Sequence, residues 1–472
     1  MRLENCVTKT SSDLVKIMKE WGSIDKILAK LQNPGFLTSF IKKAGIAFII
    51  QIIGVGLSYL LQVFLARVMG PQEYGLYTYI LAWSTIGGVV CNLGLPVAVL
   101  RFIPQYSTQG DWGRFHGVIR GCSRFTFAIT IGMSLLGTGV VLLINSHRQI
   151  ENLISILFGL WTIPLLALEN LQGNLFRGGR QMVAAYGPSK VLRPLLFMVG
   201  VGAILFWQGS QKLTSQPVFI VTIVTYIILV SSQQVLIQKD LLTQGKGEKP
   251  IYEIRSWLRV SLPLLLIVGF VIILYQTDIL MIGALLGPSE VALYNTATKT
   301  SSLASFVYTA IEAIAAPTIA SLYAAGDRAQ MQKTVTTMAH LVFWPTMVVT
   351  LFLIVFSNYI LGMFGPEFLA AKWPLAILVL AQLINAITGP VGYLVDLTGH
   401  QDQSARVRCC TALLNIVLNY ILIPKFGIMG AAIATATAIS LDNLVIYFLA
   451  VKYIGVHASI FSSLTLGTTN SK

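Results

Sequence analysis

About twelve apolar stretches, each long enough to cross a membrane as a helix, constrain the fold of this chain more than any other feature. A helix needs roughly 20 apolar residues to cross the hydrocarbon core, and such stretches follow one another from about residue 45 to residue 451. Because apolar residues make up 55% of the 472-residue chain and charged residues only 11%, the surface lacks the charge that a soluble protein needs. The sequence predicts an all-α polytopic membrane protein.

The distribution of lysine and arginine predicts how the spans are oriented. With the N terminus in the cytoplasm, five of the 33 basic residues fall on the outer side and Lys299 falls within a span, while all the others fall on the inner side. Cytoplasmic segments of membrane proteins carry an excess of lysine and arginine. We therefore expect a protein of the inner (cytoplasmic) membrane with both termini in the cytoplasm. The outer five are Arg67, Arg148, Lys212, Lys372 and Lys425.

A repeated motif divides the spans into two halves. Residues 70–77 read GPQEYGLY and residues 287–294 read GPSEVALY, so Gly, Pro, Glu, Leu and Tyr recur at one offset. The second copy bends a helical hairpin over 278–327, and a Gly-Asp pair follows each copy, at 110–111 and at 326–327. Because both copies follow an odd-numbered span, the halves share one topology and relate by a pseudo-twofold axis along the membrane normal. The predicted architecture is two six-helix lobes around a central cavity.

The predicted domain boundaries follow from this division. Residues 1–43 are expected to form a cytoplasmic amphipathic helix and linker, because apolar residues recur there at helical spacing with lysines elsewhere on the wheel. Such a helix lies on anionic membrane lipids; the alternative is a plain cytoplasmic extension. The six-helix lobes cover 44–238 and 257–456, with a cytoplasmic linker over 239–256 and a cytoplasmic tail over 457–472.

The sequence carries no motif of a known enzyme class. HExxH, Walker lysine loop and GxSxG patterns are missing, and the five cysteines have neither metal-site nor disulfide spacing. The predicted outer loops are too short for a catalytic domain outside the membrane. We therefore expect neither enzymatic activity nor a metal or other cofactor.

Lys299 is the strongest candidate for a substrate site. A charge at bilayer depth costs at least about 2.5–3.5 kcal/mol, so a charged side chain within a span marks a functional site by default. Lys299 follows Asn295 closely and is flanked by threonine and serine residues, which predicts a hydrated cavity lined by both side chains. The alternative is a lysine whose long side chain extends to the membrane interface.

Two arginines and three residues of the first span complete the predicted cavity. Arg193 and Arg101 lie at inner span ends. Because a guanidinium holds phosphate oxygens bidentately, they are candidates for binding a pyrophosphate that enters from the cytoplasm; the alternative is that they only set the topology. Gln51, Ser58 and Gln62 form a polar line along the first span and are candidates for contacts with sugars.

Acidic residues in the predicted spans are candidates for binding a coupling ion, H⁺ or Na⁺. Glu312 is 13 residues from Lys299, about 20 Å along a helix, so the two cannot form an ion pair. The alternative for each acidic residue is a structural carboxylate whose hydrogen bonds are satisfied. The candidates are Glu312, Asp396 and Asp442, with Asp278 and Glu169.

Three stretches carry a resemblance to a known family. One is FLARVMGP at 64–71 with the following Glu73, Tyr74 and Tyr77, and another is 287–295 running on to Lys299. The third and most specific is LNIVLNYILIPKFGIMGAAIAT at 414–435. From residue 44 onward the chain resembles the lipid-linked oligosaccharide flippases of the polysaccharide biosynthesis family. That family belongs to a superfamily which also holds multidrug and toxin extruders.

The resemblance implies two lobes, a central cationic cavity, and alternating access that carries a polyprenyl-pyrophosphate oligosaccharide to the outer leaflet for polysaccharide or lipopolysaccharide synthesis. Lys299 resembles a cation in the eighth span of the lipid II flippases. Those relatives place arginines in the first two spans, where this chain has residues such as Gln51 and Asn92, so a peptidoglycan precursor is not the expected substrate. Expected partners are the lipid-linked oligosaccharide, anionic lipids, a coupling ion and other polysaccharide assembly proteins, but no nucleic acid.

Two other functions fit a membrane protein of this composition. A cation-coupled multidrug exporter of the same superfamily would have a net acidic cavity; Lys299 argues against it, and the five acidic candidates favour it. A membrane-embedded glycan polymerase or ligase would need large outer loops with arginines, and the sequence predicts short ones.

Overall fold

The computed structural model describes residues 34–209, 212–245 and 247–460, and this part of the chain is built from helices without strands. The predicted all-α membrane fold is therefore confirmed. Of the segment 1–43 predicted as amphipathic helix and linker, residues 1–33 lie outside the described residues, as does the tail beyond residue 460, whereas residues 34–43 form the start of the first long helix.

The first half of the chain contains one long bent helix followed by six others. Two π-helical turns interrupt the regular pattern, Pro188–Leu192 between α5 and α6, and Ile237–Leu241 after α7. The helices are α1 (Pro34–Cys91), α2 (Leu95–Gln109), α3 (Trp112–His147), α4 (Leu153–Gly178), α5 (Met182–Gly187), α6 (Arg193–Gln208) and α7 (Ser215–Leu236).

The second half repeats the pattern of long helices joined by tight turns. A 3₁₀ turn over Pro366–Ala371 leads into the fifth helix of this half. The helices are α8 (Ile254–Leu285), α9 (Pro288–Ala324), α10 (Arg328–Val355), α11 (Ser357–Gly362), α12 (Lys372–Thr388), α13 (Val391–Leu397), α14 (Gln401–Phe426) and α15 (Ile428–Ile454).

The helices supply the predicted number of membrane crossings. Nine helical stretches of the described residues are long and apolar enough to span a membrane, and one of them is α1. The backbone of α1 is not helical at Gly70, so its two arms, 34–69 and 71–91, are separate crossings. With α8 and α9, of 32 and 37 residues, the described part of the chain has twelve crossings.

The repeated motif builds the same turn in both halves. Gly70 and Gly287 have φ angles of 75° and 102°, a region that glycine adopts at no steric cost. The proline that follows each glycine starts the next helix, where its missing N–H is not needed. At the far end of each second arm, Asp111 and Asp327 accept a hydrogen bond from the backbone three residues on and cap the next helix.

The predicted span over 371–396 is divided. Helix α12 ends at Thr388, and α13 begins at Val391. Gly389 has a φ of 61°, and Pro390 has no N–H to continue the helical hydrogen bonds. The Tyr308 hydroxyl donates to the Gly389 carbonyl at 3.4 Å, which ties this break to α9.

The segment between the halves is held against α3. The Ile251 N–H donates to the Gly113 carbonyl at 2.9 Å, and a Cβ on Gly117 would lie 1.8 Å from the Ile251 carbonyl oxygen. Arg114 pairs with Glu253 at 2.9 Å. We call the side of the bundle that holds residues 242–245 and 247–253 the linker face. The opposite side, which holds the bends at 70 and 287, is the hairpin face.

The two halves pack directly on each other at the hairpin face. A Cβ on Gly75 would lie 1.7 Å from the Pro288 carbonyl oxygen, so only a glycine permits this approach. Nearby, the Arg67 Nε donates to the Met363 carbonyl at 2.6 Å. The halves are therefore closed against each other where the repeated motifs lie.

Candidate functional site: a cationic cleft between the halves and a buried carboxylate

Three basic side chains from the two halves approach one another between the lobes. Lys299 comes from α9, whereas Lys190 and Arg193 come from the π-helical turn and the start of α6. Arg193 and Lys190 are close enough to repel Lys299 electrostatically. None of the three pairs with an acidic group of the described residues within 4.0 Å. We call this set the cationic cluster.

The π-helical turn brings Lys190 against the first span. A π-turn adds a residue to the helical repeat and is frequent at functional sites. A Cβ on Gly54 would lie 2.6 Å from the Lys190 Cβ, so the absence of a side chain at Gly54 allows the contact. Gln51 and Ser58 lie one turn before and after Gly54 and are partly exposed, which places these two predicted residues beside Lys190.

Arg193 is fixed by an aromatic neighbour. Its Nη1 donates to the Tyr226 hydroxyl at 3.0 Å, and its guanidinium carbon lies 5.8 Å from the centre of that ring, within range of a cation–π contact. Glu169 attracts both Arg193 and Lys190 but forms no ion pair with either within 4.0 Å. With three cations and one carboxylate, the described side chains of the cleft carry a net positive charge.

The polar residues expected around Lys299 divide into exposed and buried ones. The Lys299 side chain is exposed, as is Ser302 one turn on, whereas Thr300 is buried and bonds the Tyr59 hydroxyl at 3.1 Å. Asn295 is only 2% exposed, and its Nδ2 donates to the Tyr74 hydroxyl at 2.8 Å.

Tyr74 in turn donates to the Gln62 Oε1. The structure therefore places Asn295 and Gln62 in a hydrogen-bonded link between the two halves, away from the exposed surface around Lys299. Arg101 is exposed on α2 and is not among the groups that act electrostatically on Lys299.

Asp278 is the most buried of the described acidic candidates. It is 5% exposed, and its oxygens accept hydrogen bonds from Asn419 Nδ2 at 2.7 Å, the Tyr294 hydroxyl at 2.5 Å and the Thr435 hydroxyl at 2.5 Å. All three donors are neutral, and no described basic group pairs with it within 4.0 Å. An ionised carboxylate in the membrane interior is costly unless a cation or a proton neutralises it.

The other acidic candidates have different surroundings. Asp396 pairs with Arg408 at 3.1 Å, and both side chains are partly exposed. The Thr411 hydroxyl donates to Asp442 Oδ1 at 2.9 Å. The backbone of Glu312 lies in α9, but its side chain is outside the described residues. Of the acidic candidates, the structure thus brings only Glu169 among the described side chains close to the cationic cluster. Asp278, Asp396 and Asp442 lie elsewhere in the second half.

Sequence reasoning missed Lys190 and the partners of Asp278. Lys190 lies three residues before Arg193, a spacing that puts both on one helical face, but it sits at the predicted end of a span, where a basic residue fits a topology signal. Asn415 and Asn419 are two amides four residues apart in an apolar span. That pattern was the available signal for a buried polar site.

Two six-span halves with a positively charged cleft between them define a polytopic membrane transporter. The chain belongs to the polysaccharide biosynthesis protein family, whose model matches residues 40–323. The MatE family model matches residues 263–421. The resemblance inferred from the three sequence stretches is therefore confirmed.

Curated relatives cover most of the chain. A Haloferax volcanii protein named as a low-salt glycan biosynthesis flippase, Agl15, is 22% identical over 407 residues, which are 84% of this chain and 80% of that protein. A Shigella flexneri protein named as an O-antigen transporter is 22% identical over 409 residues, 84% of this chain and 93% of that protein. Both relatives are named for transport rather than for catalysis, and the expectation that the chain is a transporter and not an enzyme is confirmed.

Solved structures show the same fold. An inward-facing multidrug resistance transporter of the MATE family matches with a TM-score of 0.70 and 14% identity, over 86% of this chain and 98% of that one. The lipid II flippase MurJ in an inward closed conformation matches with a TM-score of 0.64 and 15% identity, over 85% of this chain and 87% of that one. The twelve-helix, two-lobe architecture is shared with both.

Proposed function

We propose that this protein is a flippase that moves a polyprenyl-pyrophosphate-linked oligosaccharide across the membrane by alternating access. The observation that carries the proposal is the cationic cluster of Lys190, Arg193 and Lys299, which draws on both halves and is attracted by one carboxylate of the described residues, Glu169. A pyrophosphate is multiply anionic, and its sugars are too polar to cross hydrocarbon unaided. A positive cleft lowers that barrier. The relatives named as a glycan flippase and an O-antigen transporter support the same substrate class.

Each member of the cluster has a distinct role in the proposed complex. Arg193, already oriented by Tyr226, presents a planar fork for two phosphate oxygens. Lys190 and Lys299 supply point charges from opposite halves. Gln51 and Ser58, beside Lys190, are placed to bond the first sugar. Because Lys299 and Lys190 belong to different halves, an anion bound between them would draw the halves together. The bound anion would then cross the membrane as the two halves rotate relative to each other.

The proposed coupling site is Asp278. A carboxylate that accepts three hydrogen bonds from neutral groups has no counter-charge among the described residues, so it would bind Na⁺ or a proton. It lies within the second half and away from the cationic cluster, which lets the ion act on the lobe without competing with the substrate. Asp396, already paired with Arg408, is less suited to this role.

A multidrug exporter is the second candidate, and the MatE match over 263–421 favours it. Organic cations need an acidic binding cleft, however, and the described residues of the cleft hold three cations to one carboxylate. The charge balance favours the anionic glycolipid. We further propose that the linker face is cytoplasmic and that the membrane is the inner (cytoplasmic) one, since the basic residues gather on that side.

The test is glycolipid movement in vesicles that contain the purified protein and a polyprenyl-pyrophosphate oligosaccharide. A glycosidase added outside the vesicles cleaves only the sugar that has reached the outer leaflet, so the amount cleaved measures the movement. We expect protein-dependent movement that falls by at least about tenfold in Lys299→Ala and Lys190→Ala, since each removes a charge from the anion site, while Lys299→Arg retains part of it.

Lys425→Ala is the matched control, because this lysine is exposed at the hairpin-face end of α14. If glycolipid movement is unchanged in both Lys299→Ala and Lys190→Ala, the proposed substrate site is wrong. Proton- or sodium-driven efflux of an organic cation, without glycolipid movement, would assign the protein to the exporters.

A further inference from the structure

A line of polar side chains runs along α14 from Asp278 toward the linker face. Five residues of α14 at intervals of three or four lie on one helical face. The first and the last are 15 positions apart, about 22 Å along the helix. Helix α15 packs against this face with Thr435 and Asp442. We call the line the polar seam; its α14 members are Ser404, Arg408, Thr411, Asn415 and Asn419.

The end of the polar seam near the hairpin face is continuously hydrogen-bonded. Asn419 Nδ2 donates to Asp278 at 2.7 Å and to Asn415 Oδ1 at 3.1 Å. Asn415 Nδ2 then donates to the Thr435 hydroxyl at 3.1 Å. Amide and hydroxyl oxygens thus continue from the proposed ion site into the contact between α14 and α15.

One turn further along α14, the seam reaches Asp442. Thr411 donates to its Oδ1 at 2.9 Å, and its Oδ2 accepts no hydrogen bond from a described residue. Between Thr435 and Asp442 the same face of α15 holds Ala438, which is 3% exposed and has only a methyl group. Nearer the linker face, Arg408 Nη2 pairs with Asp396 at 3.1 Å, and Ser404 lies one turn beyond it.

Two fully buried oxygens in the seam have no partner. Asn419 Oδ1 and Ser404 Oγ belong to side chains that are 0% exposed, and neither forms a hydrogen bond with a described residue. Buried polar atoms are nearly always satisfied. An unpaired oxygen acceptor near a carboxylate, as in Asn419 beside Asp278, is a ligand that a hard cation prefers.

We propose that the polar seam is the route by which a sodium-sized cation passes between Asp278 and the linker face, with Asp442 as an intermediate binding site. The Arg408–Asp396 pair closes the route near its linker-face end. The inference rests on the proposed coupling role of Asp278 and extends it.

The surroundings of Asp278 explain why a separate route is needed. The site is 5% exposed, and the halves are packed together at the hairpin face, so a cation bound there in this conformation leaves through the second half itself. The pair that closes the seam has side-chain exposures of 43% and 30%. Exposed ion pairs stabilise little, so this one opens readily, and Asp442 attracts a cation toward it.

The test separates equilibrium binding from the rate of exchange. Radioactive sodium binding to the purified full-length protein is measured at equilibrium, and its release is followed after dilution into unlabelled sodium. We expect Asp278→Asn to abolish binding. Asp442→Asn should keep binding within about threefold but slow release by about tenfold or more, because it removes an attractive charge from the path. Asp402→Asn, an exposed carboxylate in the first turn of α14, is the matched control.

The outcomes distinguish the two proposals. Release that is unchanged in Asp442→Asn, with binding lost in Asp278→Asn, would overturn the route and leave the ion site. Sodium binding that survives in Asp278→Asn, or no binding to the wild-type protein, would overturn both. Neither of these failures bears on glycolipid movement, which is measured separately.

Thiol labelling gives a second measurement that does not depend on Asp442. In a variant without the five native cysteines, Thr411→Cys should react with a small cationic thiol reagent added at the linker face, and sodium should slow the reaction. Ala405→Cys is the control, because Ala405 is exposed near the start of α14, toward the linker face, and should label at a rate that sodium does not change. If sodium does not change the labelling rate of Thr411→Cys, the proposed route is also overturned.

Discussion

The Ser289 hydroxyl donates a hydrogen bond to Gln72 Oε1 at 2.7 Å, and the two residues hold the same position in the two copies of the repeated motif, 217 positions apart. Gly75 packs on the backbone of Pro288 and Ala292 in the same region. Ala292 holds the position in the second copy of the motif that Gly75 holds in the first. A contact between equivalent residues marks the pseudo-twofold axis. The hairpin face is therefore closed at the axis about which the halves are related.

This contact can be locked by a disulfide. Gln72→Cys with Ser289→Cys, in a variant free of native cysteines, should cross-link on oxidation, because the two side chains already meet at 2.7 Å. Cross-linking should stop glycolipid movement, and reduction should restore it. Each single cysteine variant is the control and should be unaffected by oxidation. Full activity of the cross-linked protein would show that this face does not open during transport.

Gly75 is the glycine on which closure depends. Gly75→Ala places a Cβ 1.7 Å from the Pro288 carbonyl oxygen, and overpacking of this kind costs about 1–3 kcal/mol. We expect the halves to separate at the hairpin face, so the 72–289 cysteine pair should cross-link several-fold less. Gly56→Ala, on the same helix with nothing within 4 Å of the new Cβ, should leave the cross-linking yield unchanged. Equal yields in the two variants would contradict the packing argument.

Tyr74 links the halves through its hydroxyl. Tyr74→Phe leaves Asn295 without its acceptor and Gln62 without its donor, and an unsatisfied buried group costs about 1–3 kcal/mol. The variant should unfold at a lower temperature than the wild type. Tyr420→Phe, at a tyrosine that is 70% exposed, should not. Equal unfolding temperatures would mean that the link contributes nothing to the packing of the halves.

Repulsion within the cationic cluster should lower the free energy of unfolding of the protein when no substrate is bound. Arg193 and Lys190 repel Lys299, so Lys299→Gln should stabilise the protein by about 0.5–2 kcal/mol while abolishing transport, as is common when a functional site is dismantled. The gain should shrink at high ionic strength, which screens charges. Thermal unfolding at low and high salt measures it, with Lys425→Gln as the control. A lower unfolding temperature for Lys299→Gln would indicate that Lys299 has a stabilising partner.

Much of the fold follows from local patterns. The bends at Gly70-Pro71 and Gly287-Pro288 were predictable because a positive φ and a helix-starting proline are properties of those residues alone. The division of the span at Gly389-Pro390 was harder to foresee, because many prolines in these spans remain inside continuous helices. At Pro390 the neighbouring glycine and a hydrogen bond from Tyr308 favour the break.

The candidate site was predictable only in part. Lys299 stands out because a charge at bilayer depth is costly, and Arg193 because a guanidinium at an inner span end can hold a phosphate. Asn295, by contrast, lies four residues before Lys299, and the sequence predicts that the two share one cavity. The structure instead buries Asn295 against Tyr74, 221 positions away. Which side of a helix meets another helix depends on how the halves pack, and the hydropathy of the span does not contain that information.

The sequence by itself determined the membrane-spanning class, the twofold repeat, the turns and the family, because hydropathy, glycine and proline act over short stretches. The tertiary structure decided which charges act together. Lys190 joins Lys299 only through a π-helical turn resting on Gly54, and Asp278 meets Asn419 across 141 positions. Electrostatic and hydrogen-bonded contacts depend on distances in space, which the packing of the helices sets.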